Sequence, residues 1–216
     1  MLMATTLHLS DGPCPPGDVA RTPRLAVHRA GDATRAGVEE FIRQVYARRF
    51  GADVTAFAPV LVSLHDPVDG SIVAAAGYRQ AAGSTLFLER YLDAPIEQVL
   101  ARQGSDAPAR EGIFEVGHLA AQRAGEGRRL IFLLGDHLAG AGAQWVVSTL
   151  TEELRHLFVR LGITPLALGR ADPAVLGDTA GQWGSYYDHH PVVLAGQVQQ
   201  ALRLLARGRR HLQERA

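Results

Sequence analysis

The stretch from Gly112 to Gly142 limits the possible folds more than any other part of the chain. Its apolar run from Ile113 to Ala121 has the length and composition of a buried strand. The residues from Gln122 to Gly127 predict a glycine turn, and a helical pattern begins at Arg128 and Arg129. The sequence therefore predicts a strand, a turn and a helix in direct succession.

Such a succession is suited to binding an anion. Glycines let the backbone approach a ligand closely. The first N–H groups of a helix lack intrahelical partners and carry partial positive charge. Arg128 and Arg129 would oppose the helix dipole unless an anion lies beside them. We therefore expect a phosphate or pyrophosphate at this helix start, with an ordinary glycine turn as the alternative.

Two familiar phosphate loops do not fit the spacing. A Walker loop needs Gly-Lys-Ser/Thr, but the chain contains no lysine. The dinucleotide fingerprint needs a third glycine and a suitably placed acidic residue, and both are missing. The pattern Q/R-x-x-G-x-G/A does fit, and through it the chain resembles the pyrophosphate loop of the GNAT acyltransferase superfamily. The resemblance implies donor binding by Leu119, Ala120, Gln122, Arg123, Gly125, Gly127 and Arg128.

Composition excludes several classes of protein. With 22 basic and 22 acidic residues the formal net charge is zero, so no overall field attracts nucleic acid. Cys14 is the single cysteine, which leaves no disulfide, CxxC metal site or thiol nucleophile. His189 and His190 have no further ligands at a recognised spacing, so we expect no metal. Without a signal-peptide pattern or an 18-residue apolar run, we expect a cytoplasmic protein with no integral membrane segment.

The length and patterning predict one domain. A chain of 216 residues can bury one sizeable core but not two. We expect a flexible leader over residues 1–22, a single domain over 23–208 and a basic tail over 209–216. Strand and helix signals are interspersed along the domain, with a further short strand or edge segment at Leu86–Leu92. This order predicts an α/β (α+β) fold with a mixed central sheet flanked by helices, and it is the order of the GNAT fold.

A closer resemblance extends over roughly residues 40 to 196. The chain resembles the bacterial thermostable hemolysin family, whose layout is similar to that of acyl-homoserine lactone synthases. The likeness is carried by Phe41-Ile42-x-x-Val45-Tyr46-x-x-x-Phe50, Phe87 to Asp93 (FLERYLD), Glu115 to Ala120 (EVGHLA), Ala171-Asp172-Pro173, Trp183 to Tyr187 (WGSYY), Pro191 and Gly196.

The resemblance implies an acyltransferase. The donor would be acyl-CoA or the phosphopantetheine of an acyl-carrier protein, and the acceptor the amine of a small metabolite such as an amino acid. Pantetheine would pair with the strand from Val116 to Ala121, and a medium or long acyl chain follows from the likeness to lactone synthases. The alternative is a non-enzymatic or directly membrane-lytic protein that keeps the fold, although the sequence shows no membrane-spanning pattern.

Glu115 is the first candidate for the catalytic base or for an anchor of the substrate amine. A carboxylate in an apolar strand is costly unless it lies in a cleft or is paired, and a structural pair is the alternative. His118, a candidate for binding substrate, follows three residues later and so faces the opposite side of a regular strand. The resemblance implies a bulge here, which would bring both side chains to one face; a structural role for His118 is the alternative.

The general acid is harder to assign. In the superfamily it is a tyrosine four residues before a glycine, but here Phe158 stands in that position ahead of Gly162. Either the thiolate leaves without a protein acid, or another group supplies the proton. Tyr186 and Tyr187 are the substitutes nearest in sequence, with aromatic packing as the alternative. Arg90 is a candidate for holding a carboxylate of the acceptor, with a surface ion pair to Glu89 as the alternative.

Overall fold

A computed structural model describes residues 25–104 and 108–213 of the chain. The predicted leader over residues 1–22 therefore lies outside the described residues. Of the predicted tail, residues 209–213 belong to the last helix, and the final three residues lie outside the description. The strands are β1 Leu25–His28, β2 Val60–His65, β3 Ile72–Gln80, β4 Ile113–Ala121, β5 Trp145–Leu150, β6 Leu166–Arg170 and β7 Val192–Gln197. The α-helices are α1 Arg35–Phe50, α2 Ile96–Ala101, α3 Ala124–Gly140, α4 Glu152–Arg160 and α5 Val198–Gln213.

The strands form one mixed sheet in the order β1-β2-β3-β4-β5-β7-β6. Every neighbouring pair is antiparallel except β4 and β5, which run parallel. Because parallel neighbours need a crossover connection, α3 passes over one face of the sheet between them. The predicted fold class, a mixed central sheet flanked by helices, is confirmed.

Helices cover both faces of the sheet. On one face α1 buries an apolar stripe at helical spacing that includes Val38, Ile42 and Val45, and Tyr186 packs into the same cluster. On the other face α3 buries Leu130, Leu134 and Leu138 against β2, β3 and β4, with α5 beside it. None of the helices in the described residues is both long and apolar enough to cross a membrane.

The predicted strand at Leu86–Leu92 is wrong, because Phe87–Tyr91 is a 3-10 helix. Its amides bind carboxylates instead of a neighbouring strand. The N–H of Leu86 donates to Glu89 at 2.7 Å, and the N–H groups of Phe87 and Leu88 donate to Glu115 at 2.9 Å each. Two acidic side chains therefore decide the local structure.

The predicted glycine turn is also wrong in its extent. Helix α3 begins at Ala124, not at Arg128, so Gly125 and Gly127 lie in its first turn. Neither glycine has a positive φ. Glycine is a poor helix former, but burial of the apolar face of α3 outweighs that local preference.

Candidate functional site

Strands β4 and β5 separate halfway along their length. Their pairing covers Ile113 to Glu115 of β4 and ends where Glu115 lies opposite Val147. One residue further on, the hydroxyl of Ser148 donates to the carbonyl of Val116 at 2.7 Å. Beyond that hydrogen bond the β5-facing edge of β4 pairs with no strand among the described residues. A ligand can therefore pair with this edge as a strand would.

A β-bulge lies on β4 beside this gap. Ala75 and Gly77 of β3 are two residues apart, but their partners on β4, Ala120 and Gly117, are three apart. The extra residue places His118 in the left-handed region with φ of 54°. The bulge expected from the family resemblance is confirmed.

The bulge brings Glu115 and His118 to the same face of the sheet. An ideal Cβ at Gly77 would lie 3.0 Å from Nδ1 of His118. Arg79, two residues along β3 and so on the same face, lies 3.3 Å from Glu115. This is the face covered by α1, where the ring of His118 lies 5.5 Å from that of Phe57.

His118 is held as a neutral imidazole. Its Nε2 donates to the carbonyl of Ala56 at 3.1 Å, which leaves Nδ1 as a buried acceptor without a partner. Burial lowers the pKa of His118 to about 4, and the positive charge of Arg79 acts in the same direction. A group with this pKa is unprotonated at neutral pH and is a weak base.

We expect His118 to make the protein less stable as the pH falls from 6.5 towards 4. The pKa is 6.5 in the unfolded chain and about 4 in the fold, so the stabilisation is complete above 6.5 and is lost on acidification. At ~1.4 kcal/mol per pKa unit the loss is on the order of 3 kcal/mol. Urea unfolding across this range measures it.

The variant His118→Asn tests this pH dependence. Asparagine tolerates the positive φ but cannot titrate, so the free energy of unfolding should depend less on pH than in the wild type. Exposed His156→Asn is the control and should keep the wild-type slope. Some slope should remain in His118→Asn because burial also lowers the pKa of His28. Equal slopes in the wild type and His118→Asn would contradict the assignment.

Both carboxylate oxygens of Glu115 already have donors. Oε2 accepts from Phe87 N–H, and Oε1 accepts from Leu88 N–H, while Arg79 provides the counter-charge. Burial raises the pKa of Glu115, and the hydrogen bonds from the two amides offset part of that rise. The carboxylate thus anchors the 3-10 helix to β4. Its role as the base stays a prediction.

Tyr186 and Tyr187 lie side by side but have different surroundings. The hydroxyl of Tyr186 is committed, since it donates to the carbonyl of Thr149 at 3.1 Å, and burial raises the pKa of Tyr186 far above 10. Tyr187 is half-buried, and its hydroxyl lies 2.5 Å from that of Tyr91. Burial also raises the pKa of Tyr187, so both phenols are protonated at neutral pH. Tyr187 is the more accessible of the two.

Arg90 lies beside this aromatic group. Its guanidinium is exposed and stacks over the ring of Phe87, with 4.6 Å between the guanidinium carbon and the ring centroid. The expected alternative, a pair with Glu89, does not form, because Glu89 binds Arg110 at 2.8 Å. The ring of Trp183 lies 5.8 Å from that of Phe87. Arg90 is therefore a cation at the edge of an aromatic surface.

An open cavity of about 560 Å³ adjoins the start of α3. Gln122 and Arg123 line it, while Gly125, Gly127 and Arg128 lie outside the lining. The side chain of Arg123, which precedes the helix, does not cap its amides. The first-turn Glu126 pairs with Arg129 at 3.3 Å. The lining residues are Val45, Arg48, Arg49, Ala121, Gln122 and Arg123.

A second, apolar cavity of about 110 Å³ lies on the other face of the sheet, against α3 and α5. Leu119 lines it and Ala120 does not, since Ala120 packs into the α1 cluster. Phe158, at the position where the sequence resemblance led us to look for a tyrosine, lines it too. The lining is completed by Val116, Ile131, Leu134, Gly135, Leu138, Val146, Ser148, Leu150, Ile163, Pro165, Leu194, Ala195, Gly196, Val198, Ala201 and Leu202.

Three residues of this region are absent from the sequence prediction. The sequence did contain a signal for Ser148 as a site residue, since its hydroxyl interrupts an otherwise apolar strand. Tyr91 lies in the FLERYLD motif that carries the family resemblance, but its hydrogen bond with Tyr187 could not be read from it. Arg48 had no signal, because the cavity that it lines arises where the end of α1 meets the end of β4. Over residues 25–104 and 108–213 no three His, Cys, Asp or Glu side chains are grouped to hold a metal ion.

Comparisons with known proteins agree with this architecture. A family model described as thermostable hemolysin matches residues 28–202. The N-acyl amino acid synthase FeeM, from uncultured soil microbes, superposes with a TM-score of 0.55 at 13% identity over 83% of this chain and 93% of its own. The CoA-dependent acyl-homoserine lactone synthase MesI gives a TM-score of 0.55 at 16% identity over 85% and 94%.

A further structure, BjaI, is a CoA-dependent acyl-homoserine lactone synthase solved with SAM and isopentyl-CoA. It superposes with a TM-score of 0.58 at 11% identity over 85% of this chain and 88% of its own. At such identities the likeness establishes the fold. No curated protein matches the chain by sequence.

Proposed function

This chain belongs to the thermostable hemolysin family, and we propose that it transfers an acyl group from a phosphopantetheine thioester to the amine of a small metabolite. The observation that carries the proposal is the layout along β4. Val116 and Leu119 border the apolar cavity, the edge between β4 and β5 is open, and Ala121 to Arg123 border the arginine-lined cavity. Strand β4 thus offers, along its length, sites for the acyl chain, the pantetheine and the phosphate of one donor.

Each part of the donor has a matching surface. The amide groups of pantetheine pair with the open edge of β4. The pyrophosphate lies at the uncapped amides of α3, where the helix dipole favours an anion. An acyl chain in the apolar cavity gains ~0.8 kcal/mol for each buried methylene. The names of the similar structures, N-acyl amino acid synthase and CoA-dependent lactone synthase, support a CoA-type donor and an amine acceptor.

The acceptor approaches from the α1 face in this proposal. Arg90 at the edge of the aromatic surface binds a carboxylate of the acceptor, and His118 lines its path. Backbone amides at the bulge hold the thioester oxygen as the tetrahedral intermediate forms. Glu115 remains the proposed base or amine anchor and acts through water, since its oxygens are occupied. Tyr187 protonates the departing thiolate, with Tyr186 as its buried support.

We expect CoA and acyl-CoA to raise the melting temperature of the wild type, and Gly125→Glu to abolish the shift. The exposed Gly125 has open space where a side chain would go, so glutamate fits without strain. Its carboxylate would occupy the amides of α3 and repel the pyrophosphate, weakening binding at least ~10-fold. Thermal shift across a ligand series measures the effect.

Gly125→Gln is the matched control for this experiment. It has the same size without the charge, so it should keep most of the ligand-dependent shift, while both variants melt near the wild-type temperature without ligand. A wild type that CoA does not stabilise, or a shift unaffected by Gly125→Glu, would favour the alternative of a non-enzymatic or directly lytic protein.

A further inference from the structure

We propose that Arg48, Arg49 and Arg123 form a second anion subsite that binds the 3′-phosphate of CoA. This subsite would make CoA, and not a carrier protein, the donor; the inference rests on the proposed function. Arg48 and Arg49 end α1, Arg123 immediately precedes α3, and all three are exposed and line the 560 Å³ cavity. Their side chains form a cationic wall of this cavity.

Among the described residues, the protein balances the charge of only one of these three arginines. Arg49 pairs with Glu153 and stacks on Phe50. Arg48 donates only to the carbonyl of Gln44, at 3.3 Å, and within the described ranges neither Arg48 nor Arg123 forms an ion pair. Like charges around one cavity repel each other and concentrate anions there.

The dipole of α1 accounts for part of this arrangement. Basic side chains in the last turn of a helix are favourable, which suits Arg48 and Arg49. It does not account for Arg123, which stands at the start of α3, where the dipole disfavours a cation. An anionic ligand between the two helices satisfies all three arginines at once.

Charge decides between the two donor types. Pantetheine on a carrier protein ends in one phosphodiester with a single negative charge. CoA carries a pyrophosphate and, in addition, a 3′-phosphate monoester with close to two charges at neutral pH. The α3 amides account for the pyrophosphate, so an additional cluster of guanidinium groups, which bind phosphate in a bidentate manner, fits the 3′-phosphate.

Calorimetric titration of the full chain with CoA and with dephospho-CoA, which differ only in this phosphate, tests the inference. The wild type should bind CoA ~10-fold more tightly, as expected for charge-assisted hydrogen bonds at a partly exposed site. Arg48→Gln should reduce that preference to about twofold, because CoA should lose more affinity than dephospho-CoA. Arg102→Gln, which removes an exposed arginine paired with Asp93, is the charge-matched control and should keep it.

The outcomes separate this inference from the proposed function. Equal binding of CoA and dephospho-CoA by the wild type would overturn the subsite and leave the transferase intact. An Arg48→Gln protein that melts earlier but keeps the preference would show that the arginine only caps α1, which also overturns the subsite. Binding of neither ligand would overturn the subsite and would leave an acyl-carrier protein as the donor in the proposed function.

Discussion

Replacing Gly184 with alanine should destabilise the protein by about 3 to 5 kcal/mol. Gly184 has φ of 52° and ψ of −130°, a conformation that costs other residues ~1 to 3 kcal/mol. An ideal Cβ there would lie 2.0 Å from the carbonyl oxygen of Phe50 and 2.8 Å from the backbone of Gly51, and displacing backbone adds a similar amount. The melting temperature should fall by about 10 °C or more. Chemical and thermal unfolding measure both.

Gly181→Ala is the matched control. Gly181 lies in the 3-10 segment Pro173–Trp183, which Gly184 directly follows, and it has open space around it and no positive φ. It should change the free energy of unfolding by less than about 0.5 kcal/mol. A Gly184→Ala protein as stable as this control would contradict the close packing of the segment on α1.

The same glycine positions the aromatic part of the candidate site. Just after it, Ser185 donates its N–H to the carbonyl of Phe50 at 2.8 Å and its hydroxyl to the same oxygen at 3.2 Å. Tyr186 then packs between Tyr46 and Phe50. These contacts with the end of α1 therefore fix the position of the segment that carries Tyr187.

Elements set by local pattern were predictable from the sequence. Helix α1 follows from the 3.6-residue spacing of Val38, Phe41, Ile42 and Val45 and from Gly51, which ends it with φ of 64°. Strand β4 followed from one apolar run. In these elements the residues that determine the local structure belong to the element itself, so a short stretch of sequence is enough to predict it.

The errors arose where distant groups decide the structure. Leu86–Leu92 has the apolar pattern of a strand, yet Glu115 on another element satisfies its amides and makes it helical. The same contact explains why Glu115, an obvious acid in an apolar strand, has an anchoring role that the sequence offered only as an alternative. No short window includes both partners.

The residues of the candidate site also separate into those set by local sequence pattern and those set by contacts between distant elements. The sequence could predict that Gln122 and Arg123 lie together beside the start of a helix, where the structure has an open cavity, because the spacing of a loop is local. Phosphate binding there stays a prediction. The arginines of α1 and the apolar cavity could not be predicted, since each arises where non-adjacent elements meet. Phe158 is informative in both respects: the sequence shows that the phenol is missing, and the structure shows the ring lining a cavity.

Filling the apolar cavity should shorten the acyl chain that the protein binds. Gly135 lies in the middle of α3 and lines this cavity, and its Cβ would meet only the flexible end of Leu202, at 3.4 Å. Gly135→Leu should not destabilise the protein, because a helix loses a glycine and a void is filled. Displacing about four methylenes at ~0.8 kcal/mol each should weaken decanoyl-CoA binding by about 100-fold.

Acetyl-CoA is the internal reference for this experiment, because its acyl group is too short to reach the cavity, so its dissociation constant should change less than about twofold. Gly140→Leu, on the same helix but exposed and with nothing near its Cβ, is the control and should bind both thioesters like the wild type. Titration calorimetry gives the six dissociation constants, two thioesters for each of three proteins, without requiring a known acceptor. Equal weakening for both thioesters would mean that the substitution perturbs the pantetheine edge of β4, and no weakening for either would mean that the acyl chain lies elsewhere.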